Sequence, residues 1–225
     1  MGTTTVNLPK SSTEESNRVQ RQLPKATFSL MGINAVIFII FNIIYGIPIC
    51  GDVPWRLICL NNNSLFLLAQ VNQLVLSGER TYQLISSTFV HISFLHLLWN
   101  MLSLFYFGSR LEQISSSNVI IVTFFSAGFV AGLSTLTLGP LISLGASGAV
   151  FGVVGTYSVL GLGTKNRRKV LTSILLFLFL IHLPFLLGAN INFLSHLAGF
   201  SIGALIGVVT RSRQGDGSNL STVNT

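Results

Sequence analysis

Charged side chains are scarce in this sequence, and their scarcity excludes most classes of protein. Only 8% of the 225 residues are charged, against about 25% in soluble domains. Half of the residues are hydrophobic, and the mean hydropathy is +0.69. A soluble globular domain, a disordered chain, a secreted disulfide scaffold and a soluble DNA-binding domain are therefore excluded. The composition predicts an integral membrane protein, and we interpret the net charge of +7 as a sign of membrane topology rather than of a nucleic-acid partner.

Carboxylates are fewer than basic residues, and none lies inside a predicted membrane span near its outer end, where the polar residues described below are found. There are six of them: Glu14, Glu15, Asp52, Glu79, Glu112 and Asp216. A Ser-His-Asp triad, the paired intramembrane aspartates of an aspartyl protease and the His-Glu-x-x-His helix of a zinc protease all need carboxylates that are missing here. We therefore expect neither a metal nor a cofactor.

Cysteines are also few. Cys50 and Cys59 cannot form a disulfide framework, although a single disulfide and two free thiols are both compatible with their position between two apolar runs. Asn62 begins a glycosylation sequon in the same segment. Its use depends on the membrane in which the protein resides.

Long apolar runs are what the sequence has in abundance. A membrane-spanning helix needs about 20 apolar residues, and six candidates cover residues 28–49, 90–108, 118–138, 145–163, 170–188 and 192–209. We predict an all-α membrane protein with a six-transmembrane-helix bundle over residues 28–210. A polar tail of residues 1–27 precedes the bundle, residues 50–89 form a long loop, and residues 211–225 are predicted to be a disordered tail.

The basic residues orient this bundle. Eleven of the thirteen fall on one side of the six-span arrangement, and only Arg56 and Arg80 fall on the other. Positive charge marks the cytosolic side, so both tails are predicted to be cytosolic and the 50–89 loop to face the opposite side. A secretory or plasma membrane is favoured over a mitochondrial one because Glu14 and Glu15 are atypical of a transit peptide.

Five polar residues lie near the outer ends of three spans that run in the same direction. His91, His96 and Asn100 begin the second span, Ser147 begins the fourth, and His196 begins the sixth. Polar side chains at membrane depth are costly and usually functional. Because a histidine can take the proton of a serine hydroxyl, we predict a Ser147–His196 dyad. His96 and Asn100, four residues apart, can donate hydrogen bonds to an oxyanion.

Glycines recur on the fourth and sixth spans. They form two narrow stripes, Gly148, Gly152 and Gly155 on one and Gly199, Gly203 and Gly207 on the other. Such stripes let helix backbones approach closely. We therefore expect the helices of Ser147 and His196 to be in contact, whether or not the glycines serve any purpose beyond packing.

Three motifs together resemble the rhomboid intramembrane serine proteases. They are His91-Ile-Ser-Phe-Leu-His96-Leu-Leu-Trp-Asn100, Gly145-Ala-Ser147-Gly148 and His196-Leu-Ala-Gly199-Phe-Ser-Ile-Gly203. The resemblance covers all six spans. It implies that Ser147 is the nucleophile, that His196 is its general base, and that the oxyanion hole consists of His96, Asn100 and the Ser147 N–H. It assigns supporting positions to His91, Gly145, Gly148, Phe151 and Gly199, with Phe151 stacking on the catalytic histidine.

The same resemblance implies an endopeptidase that cleaves single-span membrane proteins in or near their transmembrane segment. Its partners would be these substrates and the lipid bilayer. The main alternative is a non-catalytic binder that escorts membrane proteins, like the inactive relatives of the family, and a small transporter is a third reading. Both Ser147 and His196 are present, which argues against an inactive relative. One departure is that Tyr82-Gln83 stands where the family commonly has a Trp-Arg pair.

Overall fold

The structure, a computed structural model, describes residues 23–45, 66–186 and 192–222. Cys50, Cys59 and Asn62 lie outside the described residues, as does nearly all of the predicted N-terminal tail. The described part of the chain is mostly helical, which confirms the predicted class.

The helices follow in chain order, with two very short strands between them. The elements are α1 (Lys25–Tyr45), β1 (Gln70–Val71), α2 (Asn72–Leu76), α3 (Gln83–Ser86), α4 (Phe94–Ile114), α5 (Ser117–Leu138), β2 (Ile142–Ser143), α6 (Ser147–Leu162), α7 (Arg167–Leu186) and α8 (Phe193–Thr222). A 3₁₀ turn, Ser87–Phe89, follows α3. Each of the six predicted spans overlaps one of the long helices.

Two helices in the described residues are long and apolar enough to cross a membrane, Ser117–Leu138 and Phe193–Gln214. Lys25–Phe41 and Ser147–Leu162 are shorter apolar helices. These lengths agree with a membrane protein. The number of spans stays a prediction.

The last helix is longer than the sequence predicts. The sixth apolar run ends at residue 209, whereas α8 continues to Thr222, into the tail predicted to be disordered. Once a helix has formed, each added residue gains a hydrogen bond without a new nucleation step. A polar segment can therefore extend a helix that its apolar part has started.

Helix α6 is the centre of the molecule, and nearly all of its residues are buried. It packs against α8 backbone to backbone: a Cβ atom on Gly199 would collide with the carbonyl oxygen of Gly148, and one on Gly203 with that of Gly152. Thr156 reinforces the contact, because its Oγ1 donates a 2.7 Å hydrogen bond to the Gly203 carbonyl. The predicted contact between the two glycine-bearing helices is thereby confirmed.

Buried amides fix the loop that lies beside the start of α6. β1 pairs with β2 in antiparallel register, Gln70 opposite Ser143. The Gln70 Nε2 donates to Asn72 Oδ1 at 2.9 Å and to Thr135 Oγ1 at 3.0 Å, and Asn72 Nδ2 donates to the Pro140 carbonyl at 3.0 Å. The segment that leads into Ser147 is thus tied to α5 and to the long loop.

Tyr82 and Gln83, where the family commonly has Trp-Arg, hold the same loop. The Tyr82 hydroxyl donates to the Leu67 carbonyl at 3.0 Å. Gln83 is fully buried, donates to the Phe66 carbonyl at 3.1 Å and accepts the Val71 N–H at 3.0 Å. The departure from the family pattern therefore leaves the loop anchored.

Glu112 joins three helices at the opposite end of the bundle. Its carboxylate accepts the backbone N–H groups of Ala26 at 2.9 Å and Thr27 at 3.0 Å, at the start of α1. It also accepts the hydroxyls of Thr27 at 2.8 Å and of Ser117, the first residue of α5, at 2.6 Å. A carboxylate is favourable at a helix N-terminus because it caps free N–H groups and opposes the helix dipole.

Candidate active site

The turn before Ser147 depends on a glycine. Gly145 has a φ of +112°, a conformation that side chains other than glycine rarely adopt, and a Cβ atom there would lie 2.7 Å from the His96 ring. The Gly145 N–H donates to the Ser87 carbonyl at 2.9 Å. The Ala146 N–H donates to His91 Nε2 at 3.3 Å. The 3₁₀ turn and His91 therefore fix the backbone immediately before Ser147, which is the first residue of α6.

An asparagine fixes the start of the helix that carries His196. Asn192 precedes α8, and its Oδ1 accepts the Ser195 N–H at 3.1 Å while its carbonyl accepts the His196 N–H at 3.2 Å. Its Nδ2 donates to Ser143 Oγ, on β2, at 3.4 Å. One residue thus caps α8 and connects it to the strand before Ser147.

Ser147 and His196 are in hydrogen-bond contact. The distance between Ser147 Oγ and His196 Nε2 is 2.9 Å, within the range of a nucleophile and its base. The imidazole stacks on Phe151, one turn further along α6, with 4.2 Å between ring centroids and 12° between the planes. His196 is only 8% exposed. The structure therefore brings a hydroxyl and an oriented, nearly buried imidazole together.

His96 and Asn100 both lie on α4, and His96 adjoins the turn before Ser147. Ser93 caps the helix, since its Oγ accepts the His96 N–H at 3.3 Å, and the His96 ring lies against Gly145. The Asn100 side chain is 2% exposed and its Nδ2 donates to the His96 carbonyl one turn back, at 2.9 Å. The ring of the fully buried His91 lies edge-on to that of His96 with 5.0 Å between centroids.

Backbone donors complete the arrangement. The first N–H groups of a helix have no partner within that helix, and those of α6 begin at Ser147 itself. They face the N-terminal end of α6, where the helix dipole favours negative charge. Within the described ranges, no group of three His, Cys, Asp or Glu side chains could hold a metal ion.

The structure thus places the site residues of the sequence analysis in one region. His196 contacts both Ser147 and Phe151, the His96 ring adjoins Gly145, and Asn100 is bonded to the His96 carbonyl. His91 holds the turn, and Gly148 and Gly199 form a close backbone contact between α6 and α8. Sequence reasoning missed the two positioning residues Ser93 and Asn192. Both stand directly before a helix, where serine and asparagine are preferred caps, and that preference would have found them.

Comparisons with known proteins identify a family and relatives of this chain. The family model described as Rhomboid domain matches residues 78–213, more than half of the chain. The chain is 28% identical to YdcA of Bacillus subtilis (strain 168), a relative named for the rhomboid proteases, over 86% of this chain and 92% of that protein. It is 34% identical to RHOMBOID-like protein 4 of Arabidopsis thaliana, covering 60% of this chain and 35% of that one. It is 30% identical to Rhomboid protease GluP of Bacillus subtilis (strain 168), covering 58% and 26%.

Proposed function

The chain belongs to the rhomboid family, and from that premise we propose that it is an intramembrane serine protease with a Ser147–His196 dyad. The observation that carries the proposal is the 2.9 Å contact between Ser147 Oγ and His196 Nε2. Relatives named as rhomboid proteases support the activity. Ser147 attacks the scissile carbonyl, His196 takes the hydroxyl proton, and the same imidazole returns that proton to the leaving amine. Water then hydrolyses the acyl-enzyme with His196 again as the base.

The dyad works without a carboxylate because Phe151 does part of what a third residue does in a triad. In a triad the carboxylate orients the histidine and stabilises its charged form. Here the flat contact with Phe151 orients the ring, and the capped start of α8 positions its backbone.

The oxyanion is held by the Ser147 N–H, His96 and Asn100. Asn100 exchanges its hydrogen bond with the His96 carbonyl for one with the negative oxygen that develops during attack. Preorganised donors of this kind supply a large share of the rate enhancement in acyl transfer. The low-dielectric surroundings strengthen each of these bonds.

In the bilayer we propose six spans over residues 28–210, with residues 1–27 and 211–225 in the cytosol and the 50–89 loop on the other side. The substrates are single-span membrane proteins, cut in or near their transmembrane segment. This orientation puts Ser147 nearer to the outer face. The basic residues on one side of the apolar runs support it.

The test is cleavage of a model single-span substrate by the purified full chain in proteoliposomes, together with fluorophosphonate labelling of the serine. We expect both cleavage and labelling, and the loss of both in Ser147→Ala. Ser158→Ala is the matched control, because Ser158 is a buried serine of the same helix whose hydroxyl bonds only to the Val154 carbonyl among the described residues. Substrate binding without cleavage or labelling would favour the non-catalytic escort, and solute flux without labelling would favour a transporter.

A further inference from the structure

An apolar groove separates α4 from α7. It has a volume of about 240 Å³ and is lined mainly by Trp99, Leu102, Phe107, Leu176, Phe177 and Leu180. Its walls face outward, since Leu102 is 51% and Leu176 55% exposed. In a membrane such a groove is open to the acyl chains of lipids.

A polar pocket of about 340 Å³ continues this groove toward the end of the bundle where α7 begins. Tyr106 and Ser173 line both spaces, and their hydroxyl oxygens, 2.6 Å apart, mark the boundary. The pocket contains the cations Arg110 and Lys169 together with Gln113 and Asn166. No carboxylate is among the described residues that line it.

We propose that one anionic glycerophospholipid binds across the two spaces, with its phosphate at Arg110 and Lys169 and one acyl chain in the groove. Basic pockets between helices on the cytosolic side of a membrane suit anionic headgroups. Arg110 is held in place by its own helix: its Nη1 donates to the Tyr106 carbonyl at 2.8 Å, and its guanidinium lies 3.5 Å from the centre of the Tyr106 ring. A guanidinium used in this way keeps further N–H donors for a phosphate.

The dimensions fit a lipid of one leaflet. Trp99 and Arg110 are both on α4, and their eleven-residue separation places them roughly 16 Å apart along the axis. The hydrocarbon of one leaflet is about half of a 30 Å core. A phosphate at Arg110 therefore puts the far part of its acyl chain beside Trp99.

Charge selects the headgroup. The pocket has two cations and no carboxylate among its described lining residues. It therefore favours a headgroup with a net negative charge over a zwitterionic one, whose ammonium would find no carboxylate there. Lys165, Arg167 and Arg168 adjoin the pocket in sequence but do not line it, so they add a general attraction and not a specific contact.

The test uses Trp99 as the reporter in the full chain. The background variant is Trp55→Phe, because Trp55 is the one other tryptophan in the sequence. The protein is reconstituted in phosphatidylcholine with a small fraction of either dibrominated phosphatidylglycerol or dibrominated phosphatidylcholine, whose bromine quenches tryptophan on contact. We expect stronger quenching by the anionic lipid, and a preference reduced roughly 30-fold in Arg110→Gln/Lys169→Gln.

Two further variants keep the result interpretable. Lys169→Gln alone removes a charge without removing a side-chain hydrogen bond described for the fold, and should weaken the preference roughly fivefold. Arg167→Gln/Arg168→Gln removes two charges from the same end outside the pocket, so it removes only general attraction and should reduce the preference far less than the pocket variant does. Equal quenching by the two lipids would overturn the proposal and assign the groove to an uncharged occupant. Equal losses in the pocket variant and in this control would overturn it in favour of general surface attraction. The readout is independent of whether Ser147 cleaves anything.

Discussion

Glu112, where α4 approaches the start of α1, and the Ser147 region at the other end of the bundle use polar groups differently. The Glu112 carboxylate accepts four hydrogen bonds, from Ala26, Thr27 and Ser117. Near Ser147, by contrast, the buried atoms His96 Nδ1 and Asn100 Oδ1 have no hydrogen-bond partner among the described residues. Buried polar atoms without partners reduce stability by about 1–3 kcal/mol each.

The difference separates two uses of polar chemistry in one small bundle. At Glu112, the hydrogen-bonding capacity of the carboxylate is consumed by the fold itself. At the Ser147 end, part of it is unused among the described residues, and under the proposed function the substrate or water would complete it. Substitutions near Ser147 should therefore change the cleavage rate more than the stability, and substitutions at Glu112 should do the reverse.

The largest effect is expected from the dyad. Ser147→Ala and His196→Gln should each reduce the single-turnover cleavage rate by about 10⁴-fold or more, because nucleophile and base act as one unit. The double variant should be no slower than either single variant. Thermal unfolding should change little in Ser147→Ala. Losses that multiply in the double variant would contradict a shared proton-transfer step.

A smaller effect is expected from the oxyanion hole. Asn100→Ala should lower kcat by about 10²–10³-fold, the cost of one lost donor, while KM stays near its original value. Asn34→Ala is the matched control, because Asn34 is fully buried on α1 and donates to the Leu30 carbonyl one turn back at 2.8 Å, as Asn100 does on α4. A similar loss of kcat in both variants would mean that Asn100 matters only for the fold.

Much of the fold and of the Ser147 region could be predicted from the sequence, for physical reasons. The apolar runs predicted the long helices, the three motifs predicted membership of the rhomboid family, which the family match confirms, and the glycine stripes predicted the contact of α6 with α8. Each of these signals is local or periodic. The residues of the Ser147 region could be predicted for the same reason, since they are polar groups inside apolar runs.

The hydrogen bonds that Glu112 makes could not be predicted in this way. Its partner Ala26 is 86 residues away in the chain, and a glutamate after an apolar run is indistinguishable from a solvated one. The Gln70–Asn72–Thr135 network is equally non-local. Such contacts depend on how helices are arranged in space, which no pattern in a single stretch of sequence reports.

A moderate effect on stability is expected at Glu112. Glu112→Gln keeps the shape of the side chain but loses the charge, so the free energy of unfolding should fall by about 1–2 kcal/mol, the scale of hydrogen bonds to a partly exposed charged group. Cleavage per folded molecule should not change. Glu79→Gln is the control, since Glu79 accepts one exposed 3.2 Å hydrogen bond from Ser77, and its effect should stay within about 0.5 kcal/mol. A cleavage defect in Glu112→Gln with normal stability would mean that Glu112 serves cleavage rather than the fold.

The smallest effect is the pH dependence of the stability that Glu112 contributes. This residue lies beyond the predicted span of residues 90–108. Partial burial alone would raise the pKa of Glu112, but the hydrogen bonds from Ser117, Ala26 and Thr27 outweigh it and hold the pKa below its ordinary value of 4.5. A carboxyl whose pKa is lower in the folded state than in the unfolded state stabilises the fold. That stabilisation is complete above the pKa of the unfolded state and is lost as the pH falls through the pKa of the folded state. The stability difference between the parent and Glu112→Gln should therefore be constant near neutral pH and shrink as the pH drops below about 4.5. Thermal unfolding in detergent at a series of pH values measures it, and a difference that grew toward acid would mean that the charged form is not the one that holds α1 to α4.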